Sequence, residues 1–112
     1  MNSIDFIVGE KTYQLSLTTR SIVLLERQLG CNPISIFLNG EDETRIPSVT
    51  EMVNILHASL QRFHHGIDMN TAYSIFDDYL ADGHSITDFI PVLVDLFKVS
   101  GIMPKDDEPK NE

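Results

Sequence analysis

The chain has 112 residues with 42% hydrophobic content, enough for one small domain with a single modest core. Its 17 acidic and 8 basic residues give a formal charge of −9. That argues against nucleic acid as a partner, because duplex recognition needs lysine and arginine to neutralise phosphates. Arg20, Arg27, Arg45 and Arg62 are also well separated in sequence. No apolar run reaches the length of a membrane span, and MNSIDFIVGE has neither a basic leader nor an unbroken apolar block, so the expected location is cytoplasmic.

The first segment alternates. Ile4, Phe6 and Val8 fall at period two, as do Tyr13, Leu15 and Leu17, with Gly9-Glu10-Lys11 between them as the turn. This predicts an N-terminal β-hairpin, and two strands alone are marginal, so the hairpin must lie on the helices that follow. Thr18 or Thr19 caps the first helix, whose Ile22, Val23, Leu24, Leu25 and Leu29 form a broad apolar stripe. Gly30 ends it and Pro33 prevents continuation. A short helical piece, PISIFLNG, closes at Gly40, and the EDETR stretch after it reads as polar and exposed.

Ser48-Val49-Thr50-Glu51 is a capping box, and Met52, Val53, Ile55, Leu56, Leu60 and Phe63 continue that helix to about Phe63. Asp68 caps a third long helix carrying Ala72, Tyr73, Ile75, Phe76, Tyr79 and Leu80 at helical spacing, and Gly83 stops it. Ser85 or Thr87 caps the last helix, with Asp88 near its positive end. Phe89, Ile90, Leu93, Val94, Phe97 and Val99 are its expected buried face, with Pro91 tolerated within the first turn or so. The expected fold is therefore α+β and mostly α, an N-terminal β-hairpin on a bundle of about four helices. One domain spans residues 1–103, and residues 104–112 read as a disordered acidic tail.

The stretch DDYLADGHSITDF, residues 77–89, looks most like chemistry. A calcium loop needs oxygen donors at positions 1, 3 and 5, glycine at 6 and glutamate at 12. Starting at Asp78, Leu80 stands third and Phe89 twelfth; starting at Asp77, Asp82 stands where glycine is required. Both registers fail, and the same residues read as a glycine exit followed by a hydroxyl cap. Asp77 and Asp78 are helix neighbours and diverge, so they do not make an opposed acid–base pair. His64, His65, Asp68 and His84 lack the spacing of a structural zinc site. Cys31, the lone cysteine, follows a helix C-terminus, the wrong end for a lowered thiol pKa. No glycine-rich phosphate loop is present. The reading is a protein without cofactor, metal or catalytic residues that works by gripping another protein.

The order of signals resembles the short tail assembly chaperones of siphophages and prophages of Gram-positive bacteria. The likeness rests on IVGEKTYQL at 7–15, SIVLLERQLGCNP at 21–33, ILHASL at 55–60, AYSIFDDYL at 72–80 and LFKVSG at 96–101. It departs from the simplest pattern at Glu10, between Gly9 and Lys11, and at Pro91 inside the last helix. The resemblance implies a non-enzymatic role in the host cytoplasm. Such a protein binds the tape measure protein during tail morphogenesis, yields it as the tail tube protein polymerises, and is absent from the virion. Self-association and contact with the tail tube protein are further expectations. Apolar residues expected to serve as partner contacts are Ile36, Phe37, Leu38, Phe97, Ile102 and Met103, although each is individually more in character as core. The alternative is a small acidic regulatory adaptor that acts by occupying a host protein.

Overall fold

The computed structural model describes residues 2–37 and 45–104. Leu38, the exit at Gly40 and nearly all of the expected tail lie outside the described residues. Strand β1 (Ile4–Val8) pairs antiparallel with β2 (Lys11–Leu15), in a register of Ile4 with Leu15 and Phe6 with Tyr13. Gly9, at φ 60°, is the first central residue of the two-residue turn, a position where the mirror-image hairpin turns demand positive φ. The chain then forms α1 (Thr19–Leu29), a 3-10 helix (Pro33–Phe37), α2 (Val49–Leu60), α3 (Met69–Ala81) and α4 (Phe89–Val99). The fold is α+β and mostly helical, with the hairpin lying against the helices.

What fastens the hairpin is a cluster of rings. Phe6 stands 4.9 Å from Tyr79 and 5.5 Å from Phe89, and Phe76 stands 5.3 Å from Phe89. The cluster thus joins β1, α3 and α4, each pair adding about 0.5–1.5 kcal/mol beyond its area burial. The outer side of β2 is held by α2 and the turn after it. The Ser16 amide donates to the Ser59 carbonyl (2.9 Å) and the Gln14 amide donates to His64 Nε2 (3.0 Å). Ser16 and Ser59 are fully buried yet satisfied: Arg62 donates to Ser16 Oγ, and Ser59 Oγ donates to the Leu56 carbonyl.

Helix boundaries follow short-range signals. Thr18 Oγ1 accepts from the Ser21 amide, and Gly30 leaves α1 at φ 74°. α2 stops at Leu60, a few residues before the expected Phe63. There Gln61 turns its amide onto the carbonyls of His57 and Ile67, which fastens the turn into α3. Before α4, Ser85 and Asp88 exchange bonds reciprocally, Ser85 Oγ accepting from the Asp88 amide and Asp88 Oδ2 from the Ser85 amide. Pro91 is the third residue of α4, where its missing N–H leaves no helical bond unmade.

Three expected faces differ. Val23 and Leu24 are exposed, because α1 rests on α2 chiefly through Leu25, with Ile22 and Leu29 half-buried. On α4 the buried set is Phe89, Leu93, Leu96 and Phe97, while Ile90, Val94 and Val99 are half-buried. The third difference is Tyr73, more than half exposed on α3.

Candidate functional site

A concavity lies between the N-terminal half of α2 and the first two-thirds of α3. It is a cleft of about 300 Å³ lined by Val49, Thr50, Val53 and Asn54 from α2 and by Met69, Tyr73, Phe76 and Asp77 from α3. Its construction is periodic. Val49 and Val53 are four apart on one helix, Met69 and Tyr73 four apart on the other, and residues at that spacing share a face. Val53 and Phe76 are buried and make the floor, whereas Val49 and Tyr73 are 42% and 53% exposed and make apolar lips. Thr50 and Asp77 are exposed beside them, and Ile46, just before α2, is exposed as well.

Both helix starts beside the cleft are fixed by side-chain caps. Ser48 Oγ accepts from the Glu51 amide and Glu51 Oε1 accepts from the Ser48 amide, the reciprocal pair read from the sequence. Arg45 pairs with the other Glu51 oxygen. Burial opposes the Glu51 charge, but the Arg45 and Ser48 hydrogen bonds and the Arg45 charge outweigh it, so the carboxyl lies below its ordinary value. At α3, Asp68 Oδ1 accepts from the Thr71 amide, and that bond holds the Asp68 carboxyl low. These caps set where Val49 and Met69 stand, so the helix starts that carry the two walls of the cleft are positioned by local chemistry.

The residues expected as partner contacts are placed differently. Ile36 and Phe97 are fully buried. Phe37 meets Phe97 edge-on at 5.8 Å. Gly101 turns at φ 84°, and the Ile102 and Met103 amides then donate to the Phe97 carbonyl, so both side chains lie half-buried over the end of α4. The structure does bring Phe37, Phe97, Ile102 and Met103 together, but as core and its margin. Leu38 lies outside the described residues. The cleft was missed because Val49 sat within a capping motif and Tyr73 within a helical stripe. The available signal was the surplus of apolar residues on α2, more than one face requires.

Two carboxylates of the acidic stretch make structural bonds. Asp82 Oδ2 accepts from the Gly9 amide (3.0 Å), tying the hairpin turn to the end of α3, and Asp88 serves the Ser85 turn. His84 stacks on Tyr79 with ring centroids 4.3 Å apart, between Asp82 and Asp88 at 3.9 Å each. Burial, with the Asp88 charge, pushes the Tyr79 phenol up. Among the described residues no three His, Cys, Asp or Glu side chains converge as metal ligands, and no helix is long and apolar enough to cross a membrane.

Residues 3–111 match the profile of DUF6096, described as a family of unknown function. The chain belongs to this family. The DUF6096 match takes in the hairpin, the helices and both walls of the cleft. No curated protein and no solved structure matches the chain.

Proposed function

We propose that the protein is a tail assembly chaperone that holds an apolar helical segment of the phage tape measure protein in the cleft between α2 and α3. The observation that carries this reading is the pairing of exposed Val49 and Tyr73 over a floor of Val53 and Phe76. An exposed apolar side chain on each wall above a buried apolar floor can receive the anchor side chains of a helix, the mode by which grooves take amphipathic helices. Asp77 on the rim and the −9 charge keep such a complex soluble. The identity of the partner rests on the sequence resemblance, and the place of binding rests on the cleft. A binder that serves many sites along a long helical protein needs weak, apolar contacts of this kind.

Co-expression with a phage tape measure protein tests the reading. The partner is expected to remain soluble only when this chain is present, and to precipitate with a chain in which Tyr73→Asp and Val49→Asp, both at exposed positions, close the cleft to apolar anchors. Solubility of the partner without this chain would refute the chaperone role. Specific capture of an unrelated host regulator in its place would favour the adaptor.

A further inference from the structure

Among the described residues, the outer edge of β2 is hydrogen-bonded to α2 and the turn after it, whereas the outer edge of β1 is not bonded to any helix except at Gly9. Which backbone groups face the outer edge of β1 follows from the ladder. Asp5 stands opposite Gln14. The Gln14 amide donates outward to His64 Nε2, so Asp5 and Gln14 form a non-hydrogen-bonded pair. Alternation then makes Ile4–Leu15, Phe6–Tyr13 and Val8–Lys11 the bonded pairs, and turns the N–H and C=O groups of Asp5 and Ile7 to the outer side of β1. The Ser16 amide, reaching outward to Ser59, has the same phase on β2. Gly9 continues the series on β1, and its amide is taken by Asp82. The backbone groups of Asp5 and Ile7 have no hydrogen-bond partner among the described residues beyond the hairpin.

The side chains at this edge are equally unoccupied. Asp5 is exposed and Ile7 is 59% exposed, both on the hairpin face away from the helices, with exposed Thr12 and Gln14 beside them. An edge of unpaired N–H and C=O groups templates an added strand, and its side chains choose which strand. An antiparallel guest would bond its backbone to Asp5 and Ile7 and set its own side chains directly across from theirs. Opposite charge across from Asp5 and an apolar residue across from Ile7 are the favourable cross-strand pairs.

We propose that β1 is a docking edge for an extended segment of another protein, reading apolar–any–Lys or apolar–any–Arg from its N-terminal side. The direction follows from antiparallel pairing, which meets Ile7 before Asp5. Charge selects the occupant. Strand β1 carries Asp5 and no cation, Asp82 sits at the turn end of the same edge, and the chain bears −9 in all. A second copy is disfavoured by the same charges, since pairing β1 with itself sets two −9 chains together and brings two Asp5 side chains onto one sheet face. The edge is separate from the cleft between α2 and α3, so this binding and that of the tape measure protein stand or fall independently.

The probe is a blocked pentapeptide, acetyl-TVTKT-amide, followed by amide hydrogen exchange and by titration in NMR. In the free protein the Asp5 and Ile7 amides are expected to exchange quickly and those of Phe6 and Val8 slowly. Saturating peptide is expected to slow exchange at Asp5 and Ile7, and the TVTET counterpart to bind at least tenfold more weakly. Ile7→Pro removes an outward N–H and leaves the β1–β2 ladder intact, and should weaken the probe at least tenfold. Asp5→Lys, an exposed change that keeps every backbone donor, should reverse the preference to TVTET and serves if the proline variant unfolds. Slow exchange at Asp5 and Ile7 in the free chain, or unchanged binding in both variants, overturns the proposal. Dimerisation of the free protein in sedimentation, abolished by Asp5→Arg or Ile7→Pro, would also overturn it by assigning the edge to a second copy.

Discussion

Val49→Asp separates the cleft from the fold because the two effects of the substitution act in opposite directions on stability. Val49 is 42% exposed, so a little over half of its surface is covered. Fully burying a valine contributes about 1.5–3 kcal/mol, so removing this one forfeits roughly 1–1.5 kcal/mol. Val49 is also the first residue of α2 after the Ser48 cap. A carboxylate there meets the positive end of the helix, which returns about 0.3–1 kcal/mol. The net change is at most about 1 kcal/mol, a melting shift of no more than about 8 °C for a domain of this size. Binding has no such offset. A docked apolar side chain would strip water from an unpaired carboxylate at about 1–3 kcal/mol and lose its own contact with Val49, on the order of a hundredfold in Kd. Thermal melting by circular dichroism and calorimetric titration of a soluble tape-measure fragment measure the two halves. A variant that melts within the stated window and binds within about threefold of the parent refutes the assignment of the cleft.

Phe89→Ala removes the ring that meets Phe6, Phe76 and Tyr79 and is fully buried. It is expected to lose about 3–5 kcal/mol in urea unfolding and to leave the hairpin amides in fast exchange. Ser48→Ala deletes the acceptor for the Glu51 amide and should lower stability by about 0.5–2 kcal/mol, with the loss of exchange protection concentrated in the first turn of α2. Acid is expected to loosen the helix starts beside the cleft. Glu51 and Asp68 both titrate lower in the folded chain than their ordinary values of 4.5 and 3.8, so the stability they contribute is complete above those values and is lost as pH falls through the lowered ones. Glu51→Gln, which retains an oxygen for the Ser48 amide but cannot titrate, should flatten that acid limb in urea midpoints measured from pH 6 to pH 3. An unchanged acid limb would rule Glu51 out as a contributor.

Much of the fold is legible residue by residue. The alternation of Ile4, Phe6 and Val8 against Tyr13 and Leu15 sets which face of each strand turns inward, but the turn is Gly9-Glu10 alone: Lys11, expected within it, pairs with Val8 as the first residue of β2. The Ser48–Glu51 box, the Asp68 cap and the Gly30 exit all stand where the sequence puts them. Each is a bond between residues no more than four apart, so its energy is fixed before the chain has a tertiary structure. The candidate contacts were harder. Ile36 and Phe97 are apolar residues at helical spacing, as Tyr73 and Val49 are, and nothing local distinguishes a residue that other elements cover from one they leave open. Partial signals are present: α2 has apolar residues on more sides than one neighbour can occupy, and a two-stranded hairpin necessarily has two outer edges, only one of which need meet the helices.

The sequence by itself determined the element order, the caps at Thr18, Ser48 and Asp68 and the inward face of each strand, because these rest on short-range hydrogen bonds and on side-chain period. α4 instead begins after Asp88, which makes no side-chain cap bond, and not after the expected Ser85 or Thr87. Only the tertiary structure decided which apolar side chains are lips and which are core. That outcome depends on where distant segments land: the 3-10 helix brings Phe37 edge-on to Phe97 of α4, while Val49 and Tyr73 stay exposed at the cleft between α2 and α3.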